Sequence, residues 1–328
     1  MKCLLALLAL IGTLAAAQQP IRVWGYDGMK PLMLRWEAQY QSEHPGVRFT
    51  NVFHGAAAAP AGLYDGVADI AVLGREWWPV DNMAFHWMYQ YAPFGVEVVA
   101  AGTRAPNPSF TPVVVVNAAN PIESISLPQL DAVFGSEYRA APANVRTWGE
   151  LAVRGELERS RIEPIGFGED EALGVFFRKR VLMDDYKPNP SSMLLQSPHA
   201  DLEIAQHVAR DVSAIGYTSG TAAASIRGVK VIPVVDAAGT QITPGDGAIA
   251  AGNYPLSRTL ALYVNRKPGE RLPADIEGFL LFVLSERGQS TVQSEEGFLP
   301  LPESRRKKAS ERIVGEWTKE ATSKEWKQ

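Results

Sequence analysis

Arg75 stands directly after Gly74, at the end of the apolar run Ile70-Ala71-Val72-Leu73. A guanidinium placed there can grip an oxyanion through two parallel hydrogen bonds, or it can close a salt bridge on Glu76 or another neighbour. Lys30, at the end of Gly25-Tyr26-Asp27-Gly28-Met29-Lys30, offers a second positive charge, or is simply a solvated lysine at a helix start. Acids stand against these cations: Asp27 in the same stretch, and Glu169-Asp170-Glu171 after Gly166-Phe167-Gly168. Two unit charges about 4 Å apart interact by roughly 4 kcal/mol at an effective dielectric of about 20, so several carboxylates facing a dianion would erase micromolar binding. Either these acids face solvent, where they suit a helix N-terminus, or they serve a different solute. Converging across a crevice, Asp27, Glu169, Asp170 and Glu171 could hold a cation or a hydroxyl-rich molecule. No D-x-D-x-D-G calcium loop and no H-x-x-x-H pair is present, so no metal site is expected.

Catalytic patterns are missing from the chain. There is no G-x-S-x-G elbow, no Walker loop, no H-E-x-x-H and no intact G-x-G-x-x-G after a strand. Gly166-Phe167-Gly168 is a fragment of the last of these, and the acids behind it oppose a pyrophosphate. A hydrolase using Glu169 or Glu171 as one of two carboxylates stays open, because the separation of such a pair is not visible in sequence. The expectation is a binding protein rather than an enzyme, with no cofactor.

The elements that must position these residues alternate. Ile21-Arg22-Val23-Trp24 reads as a strand, stopped by Gly25 and Gly28 and followed by a helix from Pro31 to Tyr40. Residues 47–52 alternate like a strand, Gly55 and four alanines open another helix, and Ile70 to Leu73 is a buried strand. Such alternation argues for an α/β lobe with a mostly parallel sheet, whose loops aim helix N-termini at whatever occupies the crevice. Further strands lie near 96–101 and 113–117, and Ser126, Pro128 and Gly135 read as N-cap, early helical residue and stop of one more helix. Ile276 to Leu284 is helix-like, and from Arg305 to Gln328 the sequence reads as a charged helix or tail.

Gly252-Asn253-Tyr254-Pro255-Leu256-Ser257-Arg258, a turn feeding a strand, closely resembles a sequence of the phosphate-binding proteins of ABC transporters, where the chain returns from the second lobe to the first. Other segments resemble the same family in order. They are Gly66 to Ala71 with its D-I-A strand, Leu130 to Gly135 with Trp148 and Leu151, Ala214-Ile215-Gly216-Tyr217, and Leu284-Ser285 to Gly288-Gln289 with Gly297 to Pro302. Together they cover most of residues 20–302. The resemblance implies a two-lobed, type II periplasmic binding protein-like α/β fold, with mixed, mostly parallel sheets flanked by helices. Its implied organisation is a first lobe from 18–95 and 251–328, a hinge at 96–104 and a second lobe at 105–250.

The resemblance also implies a function: capture of phosphate or another oxyanion between two closing lobes, for an ABC transporter permease. In the family the anion is held by Ser and Thr hydroxyls, backbone N–H groups, a carboxylate and an Arg, and the matching loops here differ. The loop that reads S-T in the family is Gly25 to Lys30; the G-S-S turn is Gly55-Ala56-Ala57; the S-R or S-D pair is Gly74-Arg75. The loop R-D-x-G-S-G-T-R corresponds to Ile165 to Phe177. Residues implied at the ligand are therefore Tyr26, Asp27, Gly28, Lys30, Gly55, Ala56, Gly74, Arg75, Glu169 and Glu171. His54 is either a further donor or a surface histidine. Each ligand oxygen buried without a partner costs about 1–3 kcal/mol, so the lost hydroxyls bear directly on ligand identity. The alternative is a scaffold that takes a non-phosphate solute, or a periplasmic protein-interaction module with a filled cleft and an exposed aromatic patch of Trp77, Trp78, Phe85 and Trp87. A helix from Asn82 to Tyr91 would instead bury those rings.

Composition agrees with an ordinary globular chain: 328 residues, 46% hydrophobic and 21% charged. A net charge of −4 gives no global field for nucleic acid or an acidic membrane. Lys2, the apolar run Cys3 to Leu14 and Ala15-Ala16-Ala17 read as a signal peptide over residues 1–17, cleaved before Gln18 to give a periplasmic product. Cys3 is the only cysteine, so the mature chain is expected to hold no disulfide and no thiol site. A monomer is expected.

Overall fold

The computed structural model describes residues 19–183 and 187–318. The expected signal peptide, the cleavage point at Gln18 and the tail beyond Thr318 lie outside the described residues. β1 (Ile21–Gly25) leads through a 3-10 turn, Asp27–Met29, into α1 (Lys30–Glu43), with Pro31 in its first turn. Proline is tolerated there because that N–H has no helical acceptor. β2 (Phe49–Phe53), α2 (Ala58–Tyr64), β3 (Ile70–Val72), α3 (Pro79–Tyr89) and β4 (Phe94–Ala101) follow.

The chain then leaves this sheet and forms β5 (Val113–Asn117), β6 (Ile125–Ser126), α4 (Leu127–Phe134), β7 (Glu163–Phe167) and α5 (Ala172–Arg180). It continues with β8 (Met193–Leu195), α6 (Ala200–Arg210), β9 (Ala214–Thr218), α7 (Gly220–Ser225), β10 (Val229–Ile232), β11 (Val234–Val235), β12 (Gln241–Ile242) and α8 (Asp246–Ala251). It returns as β13 (Arg258–Val264), α9 (Ala274–Leu284), α10 (Glu286–Gln293), β14 (Phe298–Leu299) and α11 (Glu303–Val314).

Two large sheets result, of order β14-β4-β13-β3-β1-β2 and β10-β5-β9-β7-β8, with β12-β11-β6 as a small third. Parallel pairing in the large sheets is confined to β2-β1-β3 and β9-β7-β8. β4 and β13, the strands through which the chain leaves and returns, pair antiparallel in the first sheet, and β5 pairs antiparallel with β9 and β10 in the second, so both large sheets are mixed. β4 keeps its pairing with β13 as far as Ala101, so the expected hinge segment 96–104 begins inside the first sheet.

One hydrophobic cluster runs through both lobes, from Trp36 and Phe279 in the first to Trp148 and Ile204 in the second. A smaller one on the other face of the first sheet joins Ala59, Leu63, Ala71, Leu73 and Phe85, so α2 and α3 cover β3 there. Ser126 caps α4 as its position suggested, accepting from the Gln129 N–H at 3.3 Å. Gly135 ends that helix in an extended conformation, φ −90°, instead of the left-handed one glycine makes easy.

Candidate functional site

The parallel strands fix where the candidate loops lie. Gly25 at the end of β1 pairs in register with Phe53 at the end of β2 and with Val72 at the end of β3. The loops after these three strands are therefore neighbours, although up to about fifty residues separate them. The Tyr26 N–H donates to the Val72 carbonyl at 2.8 Å, tying the first loop to the third.

Tyr26 occupies the space between them. A Cβ on Gly28 would fall 2.4 Å from Tyr26 Cε1, and one on Gly74 would fall 2.3 Å from Tyr26 Cδ1. The ring therefore lies against two glycine faces that only a missing side chain leaves open, and Gly74 also needs its φ of +65°. The phenol donates to the Asn107 carbonyl, in the segment where the chain leaves the first lobe. Ser109, fully buried, donates its hydroxyl to the Gly74 carbonyl at 2.8 Å. Burial, with the charge of Asp27 added, pushes the Tyr26 phenol up to about 12, so at neutral pH it is a hydroxyl donor.

The other candidates lie on these loops and in the second lobe. Asp27 and Lys30 are exposed, and the Lys30 ammonium lies 5.9 Å from the centre of the Phe53 ring. Gly55, φ +90°, has open space where a Cβ would be, and the half-buried Ala56 and exposed His54 flank it. Arg75 is buried: Nη1 donates to Asp81 Oδ2 at 2.7 Å and to the Glu76 carbonyl at 2.8 Å, and its guanidinium lies 3.9 Å from the Trp78 ring centre. Of the two roles open to it, this arrangement uses the salt bridge, with Asp81 of α3 as the partner. In the second lobe Glu169 and Asp170 are exposed, and Glu171 sits at the N-cap of α5. Glu169 lines a small cavity of about 30 Å3 with Phe134, Phe167 and Tyr217. No group of three or more His, Cys, Asp or Glu residues among the described residues is arranged to hold a metal ion.

Of the four rings proposed as an exposed patch, Phe85 is fully buried and Trp77 packs on it and on Tyr263. Trp87 is 76% exposed.

Sequence reasoning passed over one residue of consequence. Arg258, the last of the quoted turn motif, is buried; its Nε and Nη2 each donate to the Glu76 carboxylate at 2.8 Å. Its Nη1 donates to the carbonyls of Pro108 and Phe110, and the guanidinium lies 4.9 Å from the Phe176 ring of α5. Burial alone would raise the Glu76 carboxyl, but the Arg258 charge and hydrogen bonds outweigh it and hold the group below the ordinary carboxylate value. The signal was the motif itself, an arginine entering a strand.

No family model matches the chain. Over 281 residues it is 28% identical to the phosphate-binding protein PstS of Pseudomonas aeruginosa, covering 85% of this chain and 82% of that protein. Over 191 residues it is 27% identical to protein SphX of Synechococcus elongatus, covering 58% of this chain and 53% of that one. PstS of Borrelia burgdorferi superposes with a TM-score of 0.59 at 15% identity, over 87% of this chain and all of that one. An ABC-type phosphate transport receptor from Vibrio cholerae gives 0.58 at 18% identity, over 86% and 100%. At such identities the structural likeness speaks for the fold, while the sequence likeness to the Pseudomonas protein extends over 85% of this chain. The chain is a divergent relative of the phosphate-binding proteins of phosphate ABC transporters, on the two-lobed fold of periplasmic binding proteins.

Proposed function

We propose that the protein is a periplasmic solute-binding protein that captures phosphate or a related oxyanion between its lobes and delivers it to an ABC transporter permease. The observation that carries this reading is the register of Gly25, Phe53 and Val72, which sets three glycine-containing loops side by side at one end of a sheet. In this reading the site is built from backbone N–H groups of Gly28, Gly55, Ala56 and Gly74, with the Lys30 charge nearby. Tyr26 supplies the hydroxyl that the loops otherwise lack, its ring turning from the Asn107 carbonyl toward the ligand. Arg75 contributes charge from behind its Asp81 bridge. Asp27, Glu169 and Glu171 lie at the rim, where a carboxylate can accept the proton of a hydrogen phosphate. Crossing segments near 102–112 and 252–257 act as the hinge. The likeness to transport binding proteins supports binding over catalysis.

Calorimetric titration of the mature chain with phosphate near neutral pH tests the proposal. Micromolar affinity is expected, weakened several-fold in Lys30→Gln, whose side chain is exposed and whose loss leaves the fold intact. No heat and no thermal shift at millimolar phosphate would overturn it. That result would favour the second reading, a protein-association module, for which one observation speaks: Val80, Met83, Trp87 and Met88 form an apolar stripe at helical spacing on α3, all at least 48% exposed.

A further inference from the structure

A cavity of about 400 Å3 lies away from the glycine loops, between the first sheet and α5 of the second lobe. Tyr26, Gly28, Lys30, Gly55 and Gly74 take no part in its lining. Its volume falls in the range of small-molecule sites. Its floor is one face of the β13–β4 pair, where Tyr263 stands opposite Gly95 and Ala261 opposite Glu97. The absence of a side chain at Gly95 makes room for the Tyr263 ring, since a Cβ would fall 2.9 Å from it. Trp77 packs on that ring at 4.7 Å between centroids, and Phe176 of α5 faces them from the other lobe. Three aromatic rings thus wall a space large enough for a one- or two-ring ligand.

Charges of both signs surround the space. Lys179, Arg180 and Arg312 line it together with Glu76 and Glu97. Both acids already have cationic partners: Glu76 is gripped by Arg258, and Glu97 lies 2.9 Å from Arg305. The exposed Arg180 is anchored by its Nε to the Pro255 carbonyl at 2.7 Å, which leaves its terminal nitrogens to present a planar fork at the cavity edge. A guanidinium fork beside aromatic walls suits one ligand class.

We propose that this cavity is a second ligand site, taking a small organic carboxylate with an aromatic body, with the carboxylate on Arg180 and the ring against Trp77, Tyr263 and Phe176. The site is lined from both lobes and shares Glu76 with the Arg258 hub, one residue from the loop that carries Gly74 and Arg75. Its occupation therefore couples to lobe position, and by reciprocity a ligand in the cleft changes its affinity. The proposal does not depend on what the cleft binds.

Phenylacetate and indole-3-acetate, titrated into the mature chain by calorimetry and by quenching of tryptophan fluorescence, test it. Submillimolar binding is expected, about tenfold weaker in Arg180→Gln and abolished in Ala261→Phe, which fills the floor. Phenethylamine, of the same body and opposite charge, should fail to bind, and any effect of phosphate on carboxylate affinity should level off at saturation rather than grow as direct competition does. Arg180 is exposed, so its variant gives up one hydrogen bond, to the Pro255 carbonyl, and keeps the fold even if the Ala261 variant does not. No binding of either carboxylate, equal binding of phenethylamine, indifference to Arg180→Gln, or simple competition by phosphate would each overturn the proposal.

Discussion

Glu37 is a carboxyl on α1 only 4% exposed, with Oε2 accepting from Asn51 Nδ2 at 2.8 Å. Burial raises it from 4.5 to about 7, and the Asn51 hydrogen bond recovers only part of the shift. Between these two values the native state keeps a proton that the unfolded chain has released. Stability from this group therefore falls as pH rises from about 4.5 to about 7, and is level above that. Across that interval the loss is on the order of 3 kcal/mol. Glu37→Gln should remove the slope, so urea unfolding at pH 5 and pH 8 should show the wild type losing stability relative to the variant; parallel profiles would refute the assignment. Tyr26 shows the other side of residue-level reading. Its type was visible as a ligand candidate, but its position depends on three loops meeting, and nothing local in Gly25-Tyr26-Asp27-Gly28 tells that its ring lies on Gly74.

At the scale of elements, the motifs that carried the resemblance are mostly locks between elements. Ser285 caps α10 by accepting from the Gly288 N–H at 3.1 Å, and a Cβ on Gly288 would meet the Phe282 carbonyl at 2.2 Å. Gln289 donates to the carbonyls of Val98 and Val283 and accepts from the Leu301 N–H, fastening α10 to β4 and to the final turn. Such turn and cap chemistry is local, which is why the scaffold was legible. The partner of Arg75 was less so, because Asp81 closes on it only once Trp78 and Pro79 have started α3. Arg258 makes the strongest of these locks. Glu76→Gln leaves its buried guanidinium with carbonyl partners alone and should cost about 3 kcal/mol. Glu76→Leu with Arg258→Met should cost clearly less than the two single changes added together. In the wild type the pair contributes fully above the ordinary carboxylate value of 4.5 and is lost in acid, because the folded carboxyl titrates lower. Additive costs in urea unfolding would mean that the two groups act separately.

The whole molecule is two large sheets, with a small third, joined by crossings that are braced to each other. The Gly102 N–H donates to the Gly297 carbonyl at 2.8 Å, Thr111 accepts from the Arg258 N–H at 3.0 Å, and Arg180 of the second lobe holds the Pro255 carbonyl of the return crossing. A movement of one lobe must therefore be absorbed where these segments meet, through small φ/ψ changes near glycines rather than by a free linker. If phosphate bridges the lobes, its binding energy stabilises the joined state, by about 2.7 kcal/mol at a hundredfold excess over Kd. Hydrogen exchange distinguishes bridging from attachment to one side. With phosphate at saturation, amides of residues 26–30 in the first lobe and 168–172 in the second should slow together. The strand amides of β5, already inside a sheet, should gain only what global stabilisation adds. Protection confined to residues 26–30 would mean that the anion sits on the first lobe alone, and that closure is not part of its capture.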